Sequence, residues 1–370
     1  MALDRRALLL GLAGLCAAGR ARAAGRTRAA GRTRAAGRTR AAGRTRAAGR
    51  TRAAGLDEAG RPLPAPSGPV TRVFPAGPPA AILLYTLAPD LLAGWPRAIR
   101  PAERPYLLPE AAALPEVGRL TGRGNTANLE TVLALKPDLV VDTGDTGETY
   151  RSLADRLQQQ TGIPALLFDG RLPAVPATYR RLGAVIGRAE RAERLAARCE
   201  AILDTVRGRL AAVPPEARPR VYFARGPRGL ETARAGAINV EVLDLLGAVN
   251  VAGAGGSLAR VSPEDVLAWA PEVIVALDPG FAAAARTDPL WQGVPAVAAG
   301  RLHLSPALPF GWVDSPPSVN RFLGLWWLGK ALYPSLFPED LRALARDFHR
   351  DFYHVVPDEA ALDRLLAGAS

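Results

Sequence analysis

The side chains able to do chemistry are few and scattered. His349 and His354 stand five residues apart in FHRDFYH, which puts them on different sides of a helix, and His303 is distant in sequence. This spacing argues against a metal site. The only cysteines are Cys16 and Cys199, so no cysteine cluster offers a redox or zinc centre. No Ser–His–Asp set and no phosphate loop is present. GRGNTA at 122–127 matches a G-x-G-x-x-A nucleotide fingerprint, but the preceding LPEVGRL is polar and broken and no second-strand acid is evident. A dinucleotide site is therefore not expected. What remains is a set of arginines, acids and aromatics at predicted strand ends and loops: Tyr85, Arg123, Asp145, Arg225 and, within PFGWVDSPP, Phe310, Trp312 and Asp314. Guanidinium groups pair with catecholate or carboxylate oxygens, and flat rings pack against a ligand. Such a set suits capture of an anionic metal chelate.

These residues need elements to hold them, and the sequence writes one such element twice. NLETVLALKPDLVV at 128–141 returns 134 residues later as SPEDVLAWAPEVIV at 262–275, with Glu130/Glu264, Val132/Val266, Leu133/Leu267, Ala134/Ala268, Pro137/Pro271 and Val141/Val275 identical. In the second copy Ser262 is a helix N-cap, Pro263 suits the first helical position and Asp265 completes a capping box. Pro271 stops the helix, and EVIVAL reads as a strand buried on both faces. The first copy repeats this with Asn128 as cap and DLVV as strand.

Further strands are expected at Ala81–Thr86, Pro164–Asp169, Arg220–Arg225 and Arg301–Pro306, with helices at LAPDLLAGW and around Val240–Leu246. Ser318 is expected to cap the helix that follows PFGWVDSPP. Tyr179 to Val213 lacks proline and carries one long helical pattern, weakened early by Gly183 and Gly187. The expected fold is α/β: two Rossmann-like lobes with parallel sheets, joined by a single long helix. The ligand cleft lies between the lobes, beyond the carboxyl ends of the strands. The expected segments are a signal peptide at 1–23, a disordered segment at 24–66, an N-terminal lobe at 67–177, a linker helix at 178–213 and a C-terminal lobe at 214–370.

The echoed segments, the spacer helix, VLDLLGAVNVAG at 242–253 and WQGVPAVAAGRLHLS at 291–305 together resemble the periplasmic substrate-binding proteins of iron-siderophore, haem and vitamin B12 ABC importers. The resemblance runs from about Val70 to Pro334. It implies an exported, non-enzymatic monomer that needs no cofactor and delivers a metal chelate to an ABC permease dimer with its ATPase. It also implies that Glu130 and Glu264 dock the two lobes on the two permease subunits. A carboxylate in the first turn of each helix agrees with that role, since it favours the positive end of the dipole. The loop PFGWVDSPPSVNR also resembles members that carry smaller cargo, such as molybdate-like oxyanions or bare metal ions. An enzyme with two facing α/β lobes is the reading from another class.

The net charge of +12 is misleading. Residues 1–55 contain fourteen arginines and one aspartate, leaving 33 basic against 34 acidic residues in the body, which gives nucleic-acid binding no electrostatic support. The start has the layout of an export signal: Arg5 and Arg6, an apolar run from Ala7 to Ala18, and Ala21-Arg22-Ala23 as a cleavage site. Its paired arginines resemble a twin-arginine signal, and Leu15 before Cys16 argues against lipidation. AAGRTR then occurs five times in tandem from Ala23 to Arg52, too rich in arginine and glycine to build a core.

Overall fold

Two parallel sheets are the frame on which everything else hangs. The computed structural model describes residues 57–367, apart from 63–65, 67, 123 and 125. The signal segment and the AAGRTR repeats lie outside the described residues. The first sheet has the order β1–β2–β3, from Val73–Pro75, Leu139–Gly144 and Ala165–Asp169, with Val73 opposite Leu139 and Val140 opposite Ala165. The strands β4 (Arg220–Ala224), β6 (Val249–Asn250), β8 (Val273–Ala276) and β9 (Leu302–Leu304) form a second parallel sheet in the order β6–β4–β8–β9. A separate antiparallel ribbon pairs β5 (Glu231–Ala233) with β7 (Leu258–Arg260). All four residues of β8 are buried, as a strand covered on both faces must be.

The duplicated segments fold alike. The Leu129–Leu135 helix begins at Asn128, whose side chain accepts from Thr131 N, and ends at Lys136 in the left-handed region. Its echo, Pro263–Trp269, begins at Ser262 with a complete capping box and ends at Ala270, also left-handed. Val132 and Val266 are each fully buried, pinning equivalent helix faces on the two sheets.

Four expectations are corrected. Ala81–Thr86 is no strand but part of the helix Pro78–Leu87, opened by two prolines at its first positions. Every residue from Ala80 to Leu87 is buried, so the helix is apolar all round and carries no 3.6-residue signal to separate it from a strand. LAPDLLAGW after it forms only a short 3-10 turn at Pro89–Leu91. The long linker is two helices, Val175–Ile186 and Ala189–Leu210, because Gly187 takes φ of +73° and ends the first. The helices then pack on each other, and a Cβ at Gly183 would stand 2.3 Å from that of Ala192. Arg180 ties the hairpin by bonding both Glu193 and Glu200. The second helix alone is the strut; its 22 residues span about 33 Å. Cys199 is buried in it as a small apolar group.

The fourth correction is at the start of the body. Residues 57–61, expected in the disordered segment, are packed on β3: Asp57 accepts from Leu167 N and Glu58 from Asp169 N, so two acids satisfy backbone donors of that strand.

The C-terminal elements bridge the molecule. The helix Arg321–Leu332 lies against Glu241–Leu245, while Tyr85 Oη donates to Tyr353 O and Tyr106 Oη donates to Ala361 O. At the crossing, Arg321 is almost wholly buried. Its Nη1 donates to Glu241 Oε2 (2.7 Å) and Ile238 O (3.2 Å), its Nε to Ser318 O (3.0 Å), and its Nη2 to Gly170 O. Glu241 also accepts from Leu172 N. One guanidinium thus joins the end of the first sheet to the second lobe and the start of the Arg321–Leu332 helix. Burial pushes the Glu241 carboxyl up despite Arg321, and burial also lowers Arg321 despite Glu241. The pair is expensive to desolvate and is held by its hydrogen bonds.

Candidate functional site

The carboxyl ends of both sheets open on one cavity of about 820 Å³. The first sheet contributes Asp142, Thr143 and Gly144 from the end of β2 and Asp169 from the end of β3. The second contributes Arg225, the residue after β4. Ser257 and Leu258 come from the ribbon, and Phe310 and Asp314 from the proline-bordered loop. This is where parallel α/β sheets bind ligands, because strand ends and helix starts meet there.

Arg225 is the most telling group. Its Nη2 lies 3.0 Å from Asp314 Oδ2, so its charge is paired. Its Nε and Nη1 are buried without a hydrogen-bond partner, and so is Asp314 Oδ2, because that contact is too poorly aligned to be a hydrogen bond. Asn239 Nδ2 donates to Asp314 Oδ1 at 2.9 Å and fixes the carboxylate. Buried donors left bare cost on the order of 1–3 kcal/mol each, so this guanidinium would be stabilised by an oxygen acceptor. Opposite it, Arg97 is gripped by Glu103 at 2.6 and 2.9 Å, and its guanidinium lies 5.8 Å from the centre of the Phe310 ring. Burial opposes ionisation of Glu103, but its bonds from Arg97 and Arg100 outweigh it and hold the carboxyl below its usual value. Arg119 donates to Gly124 O, and Arg171 donates to Gly236 O across to the second lobe.

Asp142 lies on the same cavity. Its Oδ1 accepts from Thr121 Oγ1 (3.1 Å) and Thr143 N (2.9 Å), and among the described residues no cation pairs with it. Burial pushes this carboxyl up to about 6 in spite of those two bonds. Tyr150 stands close enough for the Asp142 and Asp145 charges to raise its own hydroxyl, behind the larger effect of burial.

Of the residues singled out by sequence, Asp145, Arg225, Phe310 and Asp314 line this cavity. Asp145 also accepts from Gly147 N and so shapes the start of the Glu148–Thr161 helix. Arg123 lies outside the described residues. Tyr85 and Trp312 do not reach the cavity. Tyr85 sits in a helix, not at a strand end, and its hydroxyl is spent on Tyr353 O and Leu108 N. Trp312 is fully buried beneath the loop, with Nε1 donating to Leu308 O. Ser318 is not the cap of the helix after this loop, which starts at Arg321 after Asn320. Sequence reasoning missed Asp142, Arg97, Arg119 and Asn239. The first was findable, since it directly follows the expected strand DLVV; the arginines lie in irregular segments with no local signal.

Glu130 and Glu264 are both exposed, each at the second position of its matched helix. Among the described residues, no group of three or more His, Cys, Asp or Glu is arranged to hold a metal ion.

Comparison with known proteins matches residues 97–307 to the family model described as periplasmic binding protein. The molybdate-binding protein MolA of Haemophilus influenzae is 28% identical over 265 residues, covering 65% of this chain and 75% of that protein. An ABC transporter solute-binding protein from Sulfurospirillum deleyianum superposes with a TM-score of 0.74 at 28% identity, covering 84% of this chain and 98% of the other. The vitamin B12-binding protein BtuF of Vibrio cholerae has the same fold, with a TM-score of 0.56 at 22% identity, covering 74% of this chain and 99% of its own.

Proposed function

Since the chain belongs to the periplasmic binding protein family, we propose that it is the exported receptor of an ABC importer and that its cargo is a compact metal oxyanion of the molybdate kind. The observation that carries this reading is the Arg225 guanidinium: its Nε and Nη1 are buried without partners, and Asp314, itself fixed by Asn239, holds its charge in place. A relative named as a molybdate-binding protein supports the same choice. The ferric siderophore favoured by the sequence becomes the second reading. Its support is the cavity volume of about 820 Å³, in the range that drug-sized ligands fill.

Capture follows from the geometry. An anion entering the cavity meets Arg225 from the second lobe and Arg97 and Arg119 from the first, so it bridges the lobes and favours their closed arrangement by its differential contacts. The exposed pair Glu130 and Glu264 then presents one carboxylate per lobe to the two permease subunits, where such charges set orientation and encounter rate. The N-terminal signal sends the protein to the periplasm, and no cofactor of its own is needed.

Calorimetric titration of the purified protein with molybdate and with a ferric catecholate, alongside Arg225→Lys, tests the reading. Lysine keeps a charge for Asp314 but loses the guanidinium. Molybdate should bind the wild type and bind the variant roughly 10- to 100-fold more weakly, the worth of one or two charge-assisted hydrogen bonds. Tight binding of the ferric catecholate alone would move the assignment to the second reading.

A further inference from the structure

A carboxylate has no evident place in a pocket built for an anion, yet Asp142 lies on its wall. Three features define its setting, the last of them shared with Asp145 and Asp169 on the same cavity. It is at the carboxyl end of the central strand of the first sheet, where the backbone gives it little freedom to swing away. One oxygen, Oδ1, already accepts two hydrogen bonds, from Thr121 and Thr143. The other, Oδ2, has no partner among the described residues, although four guanidiniums, those of Arg97, Arg119, Arg171 and Arg225, line the same cavity. Each of these already has an anchor elsewhere: Glu103, Gly124 O, Gly236 O and Asp314. From the next turn and helix, the charges of Asp142 and Asp145 both act on Tyr150, which donates no hydrogen bond to Asp142.

We propose that Asp142 binds cargo as a neutral carboxylic acid, with the proton on Oδ2 donated to a cargo oxygen, so that each anion is captured together with one proton from solution. The inference rests on the oxyanion reading above. As a carboxylate, Asp142 would repel the cargo. As an acid it supplies a donor at the wall opposite Arg225 and leaves the bonds to Oδ1 intact. The raised carboxyl, near 6 before cargo arrives, places the proton within easy reach at neutral pH. Binding should then weaken as pH rises, and the pocket should release cargo more readily in alkaline surroundings.

The test is calorimetry with sodium molybdate between pH 6 and 8, in buffers of different ionisation heat, on wild type and Asp142→Asn. The wild type should take up close to one proton per molybdate at pH 7.5, and its Kd should rise roughly fiftyfold from pH 6 to pH 8. Asp142→Asn should show neither the proton nor the slope, because an amide N–H donates without titrating. A wild-type Kd that is flat with pH, or a slope that persists in the variant, overturns the proposal. A second measurement does not depend on the cargo: carbon NMR of the Asp142 carboxyl in the ligand-free protein. A midpoint near 6 supports the proposal and one near 4 overturns it. Absence of molybdate binding at every pH, with the midpoint near 6, would instead count against the oxyanion reading.

Discussion

Replacing Arg321 by methionine should be among the most damaging single changes in the molecule. The side chain is nearly fully buried and donates to Glu241, Ile238 O, Ser318 O and Gly170 O. Methionine fills most of the volume but leaves the Glu241 carboxylate with only Leu172 N as a donor and strips three carbonyls of a partner. Breaking a buried ion pair on one side costs about 3–5 kcal/mol. With a urea m-value of about 3 kcal/mol/M, the unfolding midpoint should fall by about 1–1.7 M at unchanged slope. The double variant Arg321→Met/Glu241→Leu removes the stranded charge and should recover about half of the loss, although Leu172 N stays bare and the carbonyls do not regain the guanidinium as a donor. Urea titrations followed by circular dichroism would read both values. A loss below about 1 kcal/mol for the single variant, or a double variant no more stable than the single, would refute this account of the crossing point.

Three further outcomes follow from other parts of the structure. His349 is buried and neutral, its titration lowered to about 4 by burial. Above pH 6.5 it is neutral folded or unfolded; between pH 6.5 and 4 only the unfolded chain takes the proton, so stability should fall by about 3 kcal/mol over that window, and His349→Phe should flatten this part of the curve. A Cβ at Gly324 would lie 1.9 Å from Trp312 O, so Gly324→Ala should push the cavity loop outward, cost about 1–3 kcal/mol in thermal unfolding and weaken cargo binding with it. Reversing both docking charges, Glu130→Arg with Glu264→Arg, should abolish permease-dependent uptake in vesicles; a weakened cargo Kd in the same variant would count against the docking role.

The sequence made the repeated unit legible because its signals are local. Asn128 and Ser262 cap helices by bonds three residues away, and β-branched runs such as VIV at 273–275 mark buried strands. Arg225 and Asp314 were legible for a related reason: each stands next to a recognisable strand or proline-bordered loop. The failures share another cause. Pro78–Leu87 is enclosed on every side, so burial erased the periodicity that identifies a helix. Tyr85 inherited that error and was placed in the ligand site instead of the core. The strut broke at Gly187 because one left-handed residue outweighed a continuous apolar pattern. Arg97 and Arg321 draw their roles from partners that the chain brings together only on folding, Phe310 and Glu103 for one, Glu241 and Gly170 for the other.

The account rests on an anion held between the lobes by Arg225. Crystals of the protein grown with molybdate, with anomalous diffraction recorded at the molybdenum edge, test it most directly. The account predicts a single strong peak inside the cavity, with the oxyanion within hydrogen-bond reach of the Arg225 guanidinium. A peak elsewhere, or none at a saturating concentration, would contradict it.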